Sequence, residues 1–274
     1  MRRLLTLIIT TLAATVASAS DLPKVVSVNV CTDQYVLLLA DNAQILSLSR
    51  LADDPFSSAM AARAKDFPKT AGNAEAIAMQ QPDLVVASEW TDPALVTMLR
   101  AIGVEVLQVS SITRLDQIPD HLRLMGQALA QEDRAEALAQ TFAEELAQYR
   151  LTDGPGPLAA FYYPNGYALG AGTLSHDILT HGGARNLSVE LGMQGGGRLS
   201  LEQVVLLEPD FLIGSPSYNG HSRSEEVTQH PAIDGVPILQ SSAEWSCGTP
   251  SSLNAALQVR EMVKTVEAAQ TTDK

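Results

Sequence analysis

Apolar residues recur along this chain in two rhythms. Short runs rich in Val, Ile and Leu alternate with longer stretches whose apolar positions return every three or four residues, as expected of parallel strands joined by crossover helices. In the first half, residues 24–28, 45–49, 84–87 and 104–109 predict strands, and 33–40, 73–80 and 93–102 predict helices, the last closed by Gly103. From 114 to 150 the rhythm is helical, with Ala135, Leu138, Ala139, Phe142, Leu146 and Tyr149 on one face. A helix over 133–150 would measure about 27 Å at about 1.5 Å per residue, the width of a small domain. Strands resume only after the breaker Gly154-Pro155-Gly156-Pro157, at 158–162, 210–213 and 236–240, with helices at 174–180, 201–207 and 251–268. The pattern is α/β and divides into a leader (1–19), an N-terminal lobe (20–115), a helical connector (116–153) and a C-terminal lobe (154–274).

A self-similar segment occurs once in each lobe. Glu75-Ala-Ile-Ala-Met-Gln-Gln-Pro82-Asp83 and Glu202-Gln-Val-Val-Leu-Leu-Glu-Pro209-Asp210 share the glutamate, an apolar residue two places on, and Pro-Asp at one distance before an apolar strand. Each predicts a helix, a turn and a strand, with the residue before proline extended and the aspartate in the turn. Two copies at identical spacing predict pseudo-symmetric lobes. Glu75 and Glu202 fall in the first turns of their helices behind the caps Asn73 and Ser200, where a carboxylate favours the helix dipole by about 0.3–1 kcal/mol. On matching surfaces they would also suit two cationic sites of a partner.

The chain begins with Arg2 and Arg3, an apolar run over 4–16 and the small residues Ala17-Ser18-Ala19, the layout of a secretory signal peptide with no cysteine at the cleavage point to carry a lipid. The run is shorter than the roughly 20 apolar residues of a membrane span. An exported protein is therefore expected, without a lipid anchor. With 18 Lys+Arg against 31 Asp+Glu the net charge is −13, which lacks the basic footprint of a nucleic-acid binder. Export also changes the meaning of Cys31 and Cys247, since an oxidising compartment permits a disulfide between them. Two buried thiols are the alternative.

The opening strand Val25-Val26-Ser27-Val28-Asn29, the block from Gly72-Asn73-Ala74-Glu75 to Val86, the connector helix, His181-Gly182-Gly183-Ala184-Arg185-Asn186-Leu187 and the second Glu-to-Pro-Asp block come in an order that resembles the helical-backbone (class III) periplasmic substrate-binding proteins. These serve ABC importers of cobalamin, ferric siderophores and haem. The resemblance implies two α/β lobes bridged by one long helix, a ligand cleft between them, periplasmic residence, a monomer, no catalysis and no cofactor beyond the carried chelate. It also implies that Glu75 and Glu202 dock onto arginines of the permease. Because open α/β sheets bind ligands beyond the carboxyl ends of their strands, Arg50, Trp90, Tyr163, Tyr167, Tyr218 and Trp245 are the candidate ligand contacts. Five are aromatic, in a chain with only 5% aromatic residues, and flat rings suit a macrocycle or a catecholate. Trp90, the pair Tyr163 and Tyr167, and Glu244-Trp245 match the layout of the cobalamin-binding members.

Two features depart from that pattern. Cys31 and Cys247 both follow strands on the cleft side, where a disulfide would tie the lobes together. Only Arg50, Arg198 and Arg223 supply arginines to the candidate loops, which favours a corrinoid or neutral chelate over a triply anionic ferric siderophore. A haem carrier using a Tyr or His ligand, and a free zinc or manganese carrier, are the nearest alternatives. The five histidines, His121, His176, His181, His221 and His230, form no His-x-His pair or His-rich loop. A secreted enzyme is the alternative of another class, with no Gly-x-Ser-x-Gly, His-Glu-x-x-His or phosphate-loop motif to carry it. Gly195-Gly196-Gly197-Arg198 reads as a flexible turn.

Overall fold

In the computed structural model the described residues are 22–149, 156–216 and 222–272. The leader, Tyr218, His221 and part of the Gly-Pro breaker lie outside them. The N-terminal lobe contains β1 (Val25–Ser27), α1 (Val30–Leu39), β2 (Ile45–Ser47), α2 (Ala61–Ala64), α3 (Ala74–Ala78), β3 (Leu84–Ser88), α4 (Pro93–Ala101) and β4 (Glu105–Val109). Its strands form a parallel sheet in the order β2-β1-β3-β4. The central strand β3 is buried at every position, as a strand covered on both faces must be. Alternate residues serve two cores. Val26, Val85 and Ala87 pack with Ile77 of α3 and with Val96 and Leu99 of α4. Val25, Leu84 and Val86 face the opposite side, in a cluster that runs on through the connector into the second lobe. Helix α1 starts three residues before the sequence reading, because Asn29 is the cap: its side chain accepts the Cys31 N–H at 2.9 Å.

The connector holds α5 (Ile118–Ala128) and the long α6 (Glu132–Gln148), which folds back against it after a three-residue turn. Close approach is possible because position 126 is glycine; a Cβ there would lie 2.2 Å from that of Ala135. Arg123 adds a two-pronged ion pair to Glu136, with Nε to Oε2 at 2.7 Å and Nη2 to Oε1 at 3.1 Å, and this holds the Glu136 carboxyl down at about 2. Just before α5 the Leu115 N–H donates to Asp177 of the second lobe at 2.7 Å, whereas the turn after α5 is fixed to Gln44 of the first lobe. Helix α6 then runs from the Arg134–Asp41 ion pair in the first lobe to Tyr149, whose carbonyl accepts from Arg260 of the second. Both helices therefore cross from lobe to lobe.

The C-terminal lobe comprises β5 (Leu158–Phe161), β6 (Tyr167–Leu169), α7 (Leu174–His181), β7 (Arg185–Asn186), α8 (Leu187–Glu190), β8 (Gly196–Arg198), α9 (Leu201–Leu207), β9 (Phe211–Gly214), β10 (Ile238–Gln240) and α10 (Ser252–Thr272). Its main sheet is again parallel, in the order β10-β9-β5-β7. The glycine run expected as a flexible turn is instead strand β8, paired antiparallel with β6. A side chain at Gly196 would displace the Tyr167 ring, since a Cβ there would lie 2.1 Å from the Tyr167 hydroxyl.

The repeat is visible in backbone detail. Asp83 Oδ2 accepts the Lys24 N–H at 2.7 Å, just before β1, and Asp210 Oδ2 accepts the Leu158 N–H at 2.6 Å, at the start of β5, so each aspartate anchors the entry to its lobe's first strand. The residues before the prolines are not extended, as the sequence reading had them. Gln81 and Glu208 are both left-handed, at φ 51° and 44°, and their N–H groups bond back to Ala78 and Val204. Closing the helix end with these bonds outweighs the usual preference of a residue before proline.

Candidate ligand cleft and docking surface

Both sheets present their strand ends to one another across the cleft. On the N-terminal side a pocket of about 810 Å³, counting space open to solvent, is lined by Val28 and Asn29 after β1, Ser49 and Arg50 after β2, and Trp90 to Asp92 after β3. It shares Asn29 and Trp90 with a second pocket of about 510 Å³ that reaches Tyr35, Ser111, His121 and the Cys31–Cys247 region. That floor pocket shares Ser246 with a third, of about 710 Å³, between Pro55 and Phe56 of the first lobe and Ser215, Pro216 and residues 241–243 of the second. The three form a continuous trough between the lobes.

Within it the structure brings Arg50 and Trp90 together on the N-terminal wall. The Trp90 indole N–H donates to Ser111 Oγ at 2.8 Å while 78% of the residue remains exposed, so the ring is oriented but uncovered. Arg50 follows a segment fixed by Asp33, a wholly buried carboxylate that accepts the Ser49 N–H at 3.0 Å and the Ser49 hydroxyl. Burial pushes the Asp33 carboxyl up to about 6, against the opposing pull of Ser27, Ser49 and Lys69.

The second lobe treats its candidates differently. Tyr163 lies half-buried against Phe161 and hydrogen-bonds to Ser241 of the cleft wall; burial pushes its phenol up to about 12. Trp245 is 4% exposed and packs edge-to-face on Phe161, so its ring belongs to the core while its neighbours Ala243 and Ser246 line the cleft. Tyr167 sits on β6 over Gly196, away from the lining of these pockets. Of the remaining arginines considered, Arg198 lies on β8. Sequence reasoning missed Phe56, Tyr35 and His121. Phe56 carried a signal, an aromatic residue after Asp-Asp-Pro in the loop leaving a strand. Tyr35 and His121 carried none, since both sit at ordinary helical positions.

The cleft floor is stitched. Cys31, at the start of α1, and Cys247, after β10, form a disulfide with S–S 2.06 Å and Cα–Cα 5.2 Å. Beside it the Tyr35 hydroxyl donates to the Gly248 carbonyl, and Gly248 lies so close to Ile112 that a Cβ would stand 2.3 Å from its side chain. No group of three or more His, Cys, Asp or Glu residues among those described is placed to hold a metal ion.

Glu75 and Glu202 occupy the same helical position in the two lobes. Each is the second residue of its helix and exposed, behind a cap whose side chain accepts the N–H of the third: Asn73 from Ala76 at 2.8 Å, Ser200 from Gln203 at 3.2 Å. Its own backbone N–H and the Ser200 hydroxyl hold the Glu202 carboxyl below the usual range.

Two parallel-sheet lobes, a long crossing helix and an interlobe trough define the class, a bilobal solute-binding fold. The chain belongs to the periplasmic binding protein family, whose model matches residues 25–241. It is 23% identical over 247 residues to a cobalamin-binding protein of Halobacterium salinarum, covering 86% of this chain and 64% of that one; the chain thus spans somewhat under two thirds of that relative's length. A vitamin B12-binding protein of Salmonella choleraesuis is 25% identical over 201 residues, covering 68% and 71%. Among solved structures, the apo haem-binding protein RhuT from Roseiflexus sp. RS-1 superposes with TM-score 0.72 at 21% identity, over 90% of this chain and 98% of that one. The vitamin B12 binding protein BtuF of Vibrio cholerae gives TM-score 0.67 at 17% identity, over 90% and 98%. Among the described residues no helix is long and apolar enough to cross a membrane.

Proposed function

We propose that this chain is an exported, monomeric solute-binding protein that captures a metal chelate, a corrinoid such as cobalamin, in the trough between its lobes. It carries the chelate to an ABC importer, docks through Glu75 and Glu202, and catalyses no reaction. The observation that carries this reading is the repeated exposed glutamate, set by the same cap geometry in both lobes, so that one copy of the chain offers two equivalent anionic points. For the ligand, support comes from the uncovered Trp90 ring beside Arg50 and from the names of the relatives in sequence. An aromatic face with Arg50 as the one arginine or lysine among the described lining residues suits a large, nearly neutral macrocycle better than a trianionic complex.

The test is titration of the mature protein with cyanocobalamin, cobinamide, ferric siderophores and haemin, read by tryptophan fluorescence and calorimetry. Saturable 1:1 binding of the corrinoids is expected, with Trp90→Ala weakening it about tenfold, since a buried aromatic contact contributes on the order of 1–2 kcal/mol. Preference for a siderophore or haemin would overturn the corrinoid assignment and leave the carrier in place.

A further inference from the structure

The two repeated segments share more than a glutamate. Of the large apolar residues left exposed on the described surface, Met79 at 84% and Leu206 at 79% are the most exposed. Met79 stands four residues after Glu75, and Leu206 four after Glu202. The Met79 N–H donates to the Glu75 carbonyl at 2.9 Å, and Leu206 lies within α9, so each apolar residue sits one helical turn from its glutamate, on the same face. At that spacing the Cβ atoms are about 6 Å apart. The opposite faces hold the helices to their lobes through Ala74, Ile77 and Val204. One exposed leucine on a surface needs no explanation. Two large apolar side chains at equivalent places in two lobes, each beside the same carboxylate, are a repeated two-part pattern.

Resting on the docking reading above, we propose that Glu75 with Met79, and Glu202 with Leu206, form two composite pads for the transmembrane dimer of the importer, each seating a carboxylate on a cation and an apolar side chain in an adjoining recess. A partner that meets both lobes alike must present its site twice, as a two-fold dimer does. A second copy of this chain is a poor occupant, because it would bring glutamate against glutamate in a protein of net charge −13. The two halves of each pad act differently. The carboxylates steer approach over about a Debye length and weaken with salt. The apolar side chains act only on contact and are insensitive to salt. Exposed Val205 widens the pad on α9, where the equivalent place after Glu75 holds Ala78, so the two pads are equivalent in plan and unequal in apolar area.

The experiment measures binding of the cyanocobalamin-loaded and unloaded protein to its cognate importer in nanodiscs, at low salt and at about 0.5 M, where charges are screened beyond about 4 Å. Met79→Ser and Leu206→Ser are each expected to weaken docking about tenfold, and the double variant more, since each removes an apolar side chain that docking would take out of water. Cyanocobalamin affinity and thermal midpoint should not change, nor should the salt dependence of docking. Charge reversal of Glu75 and Glu202 should instead abolish docking at low salt. Full-strength docking by the double serine variant at both salts would overturn the composite pad; if glutamate reversal still abolished docking, docking by charge alone would stand. Normal docking by the glutamate variants as well would sink the docking reading itself. Self-association of the unmodified chain in sedimentation, relieved by Leu206→Ser, would make a second copy the occupant and overturn the proposal.

Discussion

Asp33 has no exposed surface, yet it is a carboxyl whose acceptors fix the loop leading to Arg50. Its proton is held more tightly in the folded protein, at about 6, than at the ordinary 3.8. The native state therefore binds more protons than the unfolded one between those values. The resulting stabilisation is full below about pH 4 and is lost as pH rises through 6. Lys69, itself paired with Asp53 at 3.3 Å, limits the shift but does not remove it. In Asp33→Asn this dependence should vanish, so that the stability difference between variant and parent changes by on the order of 2–3 kcal/mol between pH 4 and 7. Urea midpoints at several pH values check it, and parallel profiles for the two proteins would refute it. Nothing in the sequence singles Asp33 out, because a buried acid and an exposed one look alike at the start of a helix. Trp245 teaches the same lesson in reverse. Its place after the last strand was legible, but the direction of its ring, set by Phe161, was not.

At the scale of elements, the paired caps repeat one local bond in both lobes. Asn73→Ala and Ser200→Ala should each cost about 1 kcal/mol of stability, by similar amounts because the bonds they remove are equivalent. Chemical denaturation of the two variants measures it, and a loss confined to one lobe would break the equivalence. Helix α9 was legible to the residue, since Ser-Leu-Glu-Gln is a strong starting signal and Pro209 fixes its end. The β6–β8 pair was not. A strand made of Gly-Gly-Arg has neither apolar alternation nor β-propensity, and its glycines carry no side chain to crowd Tyr167 and Met193. The left-handed Gln81 and Glu208 were missed for a related reason: local rules weigh the proline and ignore the helix end that needs closing.

For the whole molecule, the division into two related lobes was legible because the repeated segment gives it away, whereas the continuity of one core through the connector was not, being a matter of packing between distant residues. The Cys31–Cys247 bond joins the lobes at the floor of the trough and closes a loop with a sequence separation of 216. In the chain-entropy account such a link contributes at most about 5 kcal/mol. A Cys31→Ser/Cys247→Ser variant should therefore melt at lower temperature and show a larger radius of gyration in solution scattering. An unchanged radius would mean that the Tyr35–Gly248 bond and the Ile112 contact suffice to hold the lobes. The bond also bears on how the chain matures. With two cysteines there is a single intramolecular pairing, so oxidation cannot scramble it and no isomerase is needed to correct it. On the proposed secretory route the first thiol emerges long before the second, and its wrong choices are thiols of other molecules, the same cysteine of another copy among them. One by-product of hurried oxidation is then a covalent dimer through Cys31, visible on a non-reducing gel; slowing the oxidant suppresses it, and a disulfide reshuffler resolves it, because the free Cys247 thiol displaces the partner copy's Cys31 and leaves the intramolecular bond.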